Sequence, residues 1–318
     1  MTEMNFTRIT GTSEDIFAIE QIWNASVPPS VAITGDFIAY NLAQNPIFDA
    51  EGVFVSIGER RIGLAILTSG VIAGEKENAW LELLCVLPDY QGTGVGKTLY
   101  RWIEDEANRR GAKHLRIGGG YRPFFAGIPD DLPAREFFAP FGYTDPSPRQ
   151  EWDLVRDLAS YQPMYPIQDP NATVRQLLPG DEPRLVEFIN RAFPGRWALE
   201  VEDFLRIGGR ISDFVGLQVG DLIEGFTWMT FADSVRPLNR YYMYYLPKPW
   251  GQIGPLGISK SVRGRGYSLP MIEKAILIQQ ASGVHGALID WTNLLDLYAK
   301  FGYQPGRRYT VLQKRLQD

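Results

Sequence analysis

The chain has 318 residues, of which 45% are hydrophobic and 22% charged, and a net charge of −5, which suits a globular protein with room for about two domains. These values argue against a general nucleic-acid-binding protein, which would carry a basic face, and no apolar run approaches the roughly 20 residues that span a membrane. One cysteine excludes an internal disulfide, two histidines leave little material for a zinc site, and the first residues lack the basic and apolar regions typical of a signal peptide. We therefore expect a cytoplasmic protein without a bound metal.

Apolar residues in the first half recur at helical or strand spacing in a definite order. Helices are predicted over 14–25, with Ser13 as a plausible N-cap, and over 35–43. Residues 52–57 and 61–67 indicate a hairpin, and an apolar strand over 80–87 leads through a glycine-rich turn into a helix over 97–107. The remaining predicted elements are a strand at 113–117, an irregular segment at 118–129, a short helix at 133–140 and a closing strand at 152–156.

The same order returns after residues 161–172, where Pro163, Pro166 and Pro170 and a lack of periodicity predict a linker. The second series comprises a strand at 174–177, a helix at 181–192, a hairpin at 214–219 and 223–231, a second glycine-rich turn, a helix at 269–281, a strand at 287–291, a short helix and a closing strand at 309–316. Both halves also contain Phe-Gly-Tyr after the turn, at 141–143 and 301–303. We therefore predict two tandem α/β domains, 1–160 and 173–318.

The two glycine-rich turns are the clearest candidate binding sites. They read Gln91-Gly92-Thr93-Gly94-Val95-Gly96 and Arg263-Gly264-Arg265-Gly266-Tyr267-Ser268. A glycine-rich turn between a strand and a helix exposes backbone N–H groups beside the helix N-terminus, where a phosphate is favoured.

Two other phosphate motifs fit these turns poorly. Gly96-Lys97-Thr98 matches the end of a Walker A loop, but Gln91 stands in place of its first glycine and the second turn has no lysine. A dinucleotide fingerprint needs Gly-x-Gly-x-x-Gly, and Gly92, Gly94 and Gly96 are spaced otherwise.

Taken together, these motifs resemble the GCN5-related N-acetyltransferase (GNAT) family, present twice. The family's pyrophosphate loop, Gln/Arg-x-x-Gly-x-Gly/Ala, is matched fully by the first turn and by the second except at Ser268. The late family motif, Phe/Leu-Tyr-x-x-x-Gly-Phe/Tyr, is met by Leu297 to Tyr303, whereas Phe138 replaces its tyrosine in the first half. More narrowly, the chain is similar to bacterial tandem acetyltransferases that act on amino sugars.

This resemblance implies a fold and a co-substrate. Each domain is expected to be a twisted, mixed but mostly antiparallel sheet with helices on both faces and one splayed pair of parallel strands. Acetyl-coenzyme A is the expected co-substrate, its pyrophosphate on the glycine-rich turns and its thioester between the splayed strands, near Val86 in the first half and Ile258 in the second. The Ile258 N–H is the candidate donor to the thioester oxygen.

The resemblance also places the candidate catalytic residues. Tyr298 matches the family's tyrosine acid, and Asp290, at the end of the strand that flanks the thioester, is the candidate base. Glu82 is a weaker candidate in the first half, where Phe138 stands in place of the acid. We therefore expect catalysis in the second half, with the first half binding coenzyme A weakly or serving as scaffold.

Each candidate has a structural alternative. Tyr298 could be a core aromatic, Asp290 could cap the following helix, and Glu82 could face solvent. Arg196 and Trp197 could contact an acceptor or form surface interactions. A set of aromatic residues in the second half could either contact an acceptor or simply pack, namely Trp228, Phe231, Tyr241, Tyr242, Tyr244 and Tyr245.

The leading hypothesis is transfer of acetyl from acetyl-coenzyme A to a primary amine, such as that of an amino sugar, by a monomer or homodimer. The alternatives are another small-molecule or peptide amine (an aminoglycoside, a thiol-sugar precursor, a peptide N-terminus) and a non-catalytic coenzyme-A-sensing or interaction protein. Phe138 and Ser268 depart from the family motifs, and these departures keep the non-catalytic alternative open.

Overall fold

The computed structural model describes residues 3–45, 50–70, 76–145, 150–241 and 245–316. The chain divides into two compact units. The first unit comprises Met1–Glu151 together with Arg308–Asp318, and the second unit comprises Trp152–Arg307. No helix among the described residues combines the length and apolar character that a membrane crossing requires.

The elements follow the predicted order closely. Up to residue 145 they are β1 (Met4–Arg8), α1 (Ser13–Ser26), α2 (Gly35–Asn41), β2 (Ala50–Ile57), β3 (Arg60–Ser69), β4 (Asn78–Val86), α3 (Val95–Arg109), β5 (His114–Ile117), β6 (Ile128–Pro129) and α4 (Arg135–Phe138). From residue 151 they are β7 (Glu151–Asp157), β8 (Ala172–Gln176), α5 (Glu182–Ala192), α6 (Arg196–Arg206), β9 (Phe214–Val219), β10 (Leu222–Thr230), β11 (Trp250–Ile258), α7 (Ser268–Ala281), β12 (Gly286–Thr292), α8 (Leu295–Ala299), β13 (Gln304–Thr310) and β14 (Leu312–Arg315).

Two local expectations differ from the structure. The N-cap of α1 is Thr12 and not Ser13, because the Thr12 side chain accepts a hydrogen bond from the Asp15 N–H. Helix α6 was not predicted, although Ala198, Val201 and Phe204 lie buried along one of its faces. Their spacing of three is helical, but the preceding Pro194-Gly195 reads more readily as a loop.

Each unit has a mixed sheet in which one parallel pair diverges into a fork. The first sheet has the order β1-β2-β3-β4-β5-β14, and its parallel pairing runs from Asn78–His114 to Leu81–Ile117. In the second unit the order is β7-β12-β11-β10-β9-β8, and the parallel pairing between β11 and β12 stops at Ile253–Ile289. Beyond these pairs β4 and β11 continue without their parallel partner, which produces the two forks.

The strands expected to close each half belong to the other unit. Strand β7 pairs antiparallel with β12, Leu154 opposite Ile289, and β14 pairs antiparallel with β5, Leu312 opposite Ile117. The prediction that 152–156 closes the first sheet and 309–316 the second is therefore wrong. Strand sequences show which residues alternate, but the choice of partner depends on the edge that tertiary packing leaves open.

Candidate functional site

The first glycine-rich turn has the geometry of a phosphate-binding loop. The Gln91 side-chain amide donates to the Val86 carbonyl at 2.9 Å, which ties the turn to the end of β4. Gly92 and Gly94 have φ of 74° and 96°, in the region that favours glycine, and a Cβ at either would meet no atom within 4 Å. The Thr93 hydroxyl donates to the Tyr90 carbonyl, and Val95 starts α3 with its side chain in the core. The backbone beside the helix N-terminus is therefore open to a ligand.

The second turn repeats this geometry. The Arg263 Nε donates to the Ile258 carbonyl at 2.8 Å, across the same five-residue step as Gln91 and Val86. Gly264 and Gly266 have φ of 83° and 81°, again with open space around a Cβ, and α7 begins at Ser268. The two turns are equivalent, residue by residue.

The departure from the family pattern at Ser268 accompanies a second change. A Cβ at the equivalent Gly96 would lie 3.3 Å from the ring of Phe137. In the second unit Leu297 occupies the sequence position of Phe137 and is smaller than a phenylalanine. The larger residue at the turn, Ser268 in place of glycine, is therefore accompanied by a smaller side chain at this position. The loss of this glycine is therefore no evidence that the second turn is degenerate.

A cleft opens beside each turn. In the first unit it measures about 510 Å³, and its lining includes Val86, Gln91, Gly92, Gly94 and Gly96. In the second unit it measures about 600 Å³, and its lining includes Ile258, Arg263, Gly264, Gly266, Tyr267 and Ser268. Arg265 lies on the other side of the second turn, beside a cavity of about 260 Å³, where the Tyr267 hydroxyl donates to Asp169.

The backbone N–H groups of Val86 and Ile258 point into the forks. The Leu87 N–H donates to Ile62 on β3, and the Ser259 N–H donates to Glu224 on β10. Because successive N–H groups of a strand point to opposite sides, those of Val86 and Ile258 face the fork. Both therefore stand where a thioester oxygen could accept a hydrogen bond.

The fork of the second unit brings Asp290 and Tyr298 together. The Asp290 carboxylate accepts a hydrogen bond from the Gln252 amide at 2.5 Å, and a Cβ on Gly254 would lie only 2.7 Å from it. Tyr298 is 5% exposed, and burial together with the nearby Asp290 charge raises its pKa above the ordinary value. Neither residue belongs to the lining of the cleft, although Leu297 and Lys300, on either side of Tyr298 in the sequence, do.

The helix-capping interpretation of Asp290 is wrong. The Asp290 carboxylate bonds to β11 through Gln252, whereas the Thr292 hydroxyl accepts from the Leu294 N–H ahead of α8. Trp291, between them, has a φ of 44°, which is uncommon for a bulky residue and turns the chain at the end of the strand.

In the first unit, the segment 118–129 packs against the part of β4 where the fork begins. Glu82 is 5% exposed and accepts hydrogen bonds from the Thr68 hydroxyl at 2.8 Å and from the Phe124 N–H at 3.2 Å, so the expectation that it faces solvent is wrong. Phe124 and Phe125, in the segment 118–129, are buried against Phe37 and Trp23. Glu82 therefore holds this segment in place and does not join the lining of the cleft.

The forks place their carboxylates on different strands. Val86 and Ile258 are equivalent, so Glu82 of β4 corresponds to Gly254 of β11. The second unit instead supplies Asp290 from β12, and its carboxylate lies against the glycine. In the first unit the glycine is Gly120, whose Cβ would lie 3.1 Å from Glu82.

The remaining candidates divide between packing and the cleft. Trp197 lines the second cleft, while Arg196 pairs with the buried Glu200 at 2.7 Å and lies over the Trp291 ring. Trp228 is buried between Phe204 and Phe214, and Tyr245 is exposed. Tyr242 and Tyr244 lie outside the described residues, as does the Tyr241 side chain.

Comparison with known proteins identifies the fold. Residues 19–143 match the acetyltransferase (GNAT) family model. Along 99% of its length the chain superposes on 99% of a tandem GNAT protein from the clavulanic acid biosynthesis pathway, with a TM-score of 0.68 and 14% identity. The chain has the fold of two tandem GNAT domains.

Two further structures share this fold. A GCN5-related glucosamine N-acetyltransferase region of a fungal multi-domain GH3 β-N-acetylglucosaminidase superposes with a TM-score of 0.84 and 21% identity; 99% of the present chain corresponds to 38% of that protein. A GCN5-related N-acetyltransferase from Sphaerobacter thermophilus gives a TM-score of 0.67 and 17% identity over 98% of this chain and 96% of that one. No curated protein sequence matches the chain.

Proposed function

We propose that this protein is a tandem GNAT enzyme that transfers acetyl from acetyl-coenzyme A to the primary amine of an amino sugar such as glucosamine, and that the second unit is catalytic. The observation that carries the proposal is that the Asp290 carboxylate lies close enough to Tyr298 for its charge to raise the tyrosine pKa, in the unit whose cleft and phosphate-binding turn are open. The glucosamine N-acetyltransferase region named among the structural relatives supports the acceptor class.

In this proposal the second turn holds the pyrophosphate, and the thioester lies along β11. Asp290 takes a proton from the protonated amine, whose nitrogen then attacks the thioester carbon. The Ile258 N–H stabilises the oxyanion that forms. The carbon–sulfur bond then breaks, the Tyr298 hydroxyl donates a hydrogen bond to the departing thiolate, and the second proton lost by the nitrogen converts that thiolate into the thiol.

The first unit is proposed to bind coenzyme A without transferring acetyl. Its turn and cleft are complete, but Phe138 has no hydroxyl to offer a thiolate, and the 118–129 segment occupies the side of the fork from which an amine would arrive. The Glu82 carboxylate is already engaged by Thr68 and Phe124.

The experiment measures thiol release from acetyl-coenzyme A with glucosamine, an aminoglycoside and a peptide with a free N-terminus. We expect turnover with glucosamine, a loss of at least about 100-fold in Asp290→Asn, since general-base catalysis contributes ~10²–10⁴, and retained turnover in Glu82→Gln. Turnover only with another amine would refute the acceptor. Coenzyme A binding without turnover of any amine would favour a sensing protein.

A further inference from the structure

A buried glutamine links the candidate base to a buried arginine. The Gln252 side chain is fully buried, and its amide makes four hydrogen bonds. Its nitrogen donates to the Asp290 carboxylate at 2.5 Å and to the Gly254 carbonyl at 3.0 Å. Its oxygen accepts from the Arg236 guanidinium and from the Thr230 hydroxyl, each at 2.8 Å.

These partners allow only one orientation of the amide. A guanidinium can donate hydrogen bonds but cannot accept them, so Arg236 requires the oxygen of Gln252 on its side. The nitrogen must then face Asp290 and the Gly254 carbonyl, both of which are acceptors. Arg236 is itself fixed, because its guanidinium stacks on the Trp228 ring at 3.9 Å and also donates to the Gly254 carbonyl at 3.2 Å.

The fold does not require this polar group. Gln252 lies six residues before Ile258, as Trp80 lies six before Val86, so a large apolar side chain takes its place in the first unit. There, Thr68 opposite Trp80 bonds directly to the Glu82 carboxylate. In the second unit Thr230 opposite Gln252 bonds to the amide instead. Burying a glutamine of a sheet and an arginine of the loop beside it is costly unless each is paired, so their presence calls for a role beyond packing.

We propose that Gln252, oriented by Arg236, is a positioning residue that holds the Asp290 carboxylate against Gly254 and towards the fork. The inference rests on the proposed function, since it gives Gln252 its role through Asp290. A carboxylate on a short side chain at the end of a strand has other rotamers available, and the charge-assisted hydrogen bond from Gln252 selects one of them. Gln252 itself does not line the cleft, so it would not touch acetyl-coenzyme A.

The test compares Gln252→Leu with a matched control, Gln279→Leu. Gln279 is equally buried and donates to the Gln252 backbone carbonyl at 2.9 Å, so its loss perturbs the same strand without freeing Asp290. With the acceptor that the unaltered protein acetylates, we expect kcat to fall by about 10- to 100-fold in Gln252→Leu, since a misplacement of ~1 Å can cost ~100-fold. KM for acetyl-coenzyme A should stay unchanged, and Gln279→Leu should retain kcat.

A double-mutant cycle separates positioning from stability. If Gln252 acts through Asp290, adding Gln252→Leu to Asp290→Asn should lower kcat by no more than about twofold further. Independent, multiplicative losses, or unchanged kcat in Gln252→Leu, would overturn the inference while leaving the proposed base intact. If Gln252→Leu does not fold, Gln252→Glu keeps the bonds to Arg236 and Thr230 while repelling Asp290; retained kcat in it would equally overturn the inference. Full activity of Asp290→Asn, or no turnover by the unaltered protein, would refute the proposed function and the inference with it.

Discussion

Replacing Tyr298 with phenylalanine removes one hydroxyl from a buried ring and almost no volume. The ring keeps its edge contact with Tyr303, whose centroid lies 6.2 Å away, so the free energy of unfolding should fall by no more than about 1 kcal/mol. The expected effect is on turnover.

The size of that effect follows from the environment of the hydroxyl. Burial and the Asp290 charge raise the pKa of Tyr298 above its ordinary value of 10.0, whereas a thiol has a pKa of about 8.5. Full proton transfer to the thiolate is therefore uphill, and the hydroxyl acts mainly as a hydrogen-bond donor to the developing charge. Loss of one such donor costs about 10²–10³ in kcat, or about 2.7–4 kcal/mol.

The assay is thiol release at saturating acceptor, with acetyl-coenzyme A affinity measured by calorimetry. We expect the affinity of Tyr298→Phe to remain within about twofold, because the hydroxyl acts in the transition state and not in the ground state. Phe138→Tyr is the matched control: it places a hydroxyl at the equivalent position of the first unit, and in the Tyr298→Phe background it should restore nothing. Unchanged turnover in Tyr298→Phe, or rescue by Phe138→Tyr, would refute the reasoning.

Three other predictions test the loops, one ion pair and the strand exchange. Gly266→Ala must adopt a φ of 81°, at a cost of about 1–2 kcal/mol, and should weaken acetyl-coenzyme A binding and turnover together, while Gly94→Ala in the first unit should leave turnover unchanged. Arg175 lowers the pKa of Asp181 from 3.8 to about 2, so this carboxylate stabilises the fold above pH ~4 and the contribution is lost as the pH falls through ~2. Asp181→Asn should therefore lower the free energy of unfolding by about 2 kcal/mol at pH 7, with the difference vanishing near pH 2; a difference independent of pH would contradict the ion-pair argument. A fragment of residues 1–160 lacks β14 and should show no cooperative unfolding transition, whereas a stable fragment would contradict the assignment of β14 to the first sheet.

Local signals along the chain were enough to identify the repeat and both phosphate-binding turns. Positive φ at Gly92, Gly94, Gly264 and Gly266 is a property that only glycine adopts freely, so the turns are encoded where they occur. The helices and strands were likewise predictable, because apolar spacing within a segment reflects which of its faces is buried. The tyrosine motif around Tyr298 could be recognised for the same reason, since it lies within one short helix.

Tertiary structure decided what depends on residues far apart in the sequence. The exchange of β7 and β14 could not be foreseen, because any apolar strand can pair with an open sheet edge. The sequence alone could also not show that Glu82 is held by Phe124, or that Asp290 lies over Gly254. In each case the two residues that meet are some 40 positions apart in the chain. A lone glutamine in the apolar strand around Gln252 was a visible signal, but its meaning depends on Arg236, which only folding brings beside it. Hydrogen bonds between distant side chains leave no periodic trace in a sequence, and the proposed site is built from them.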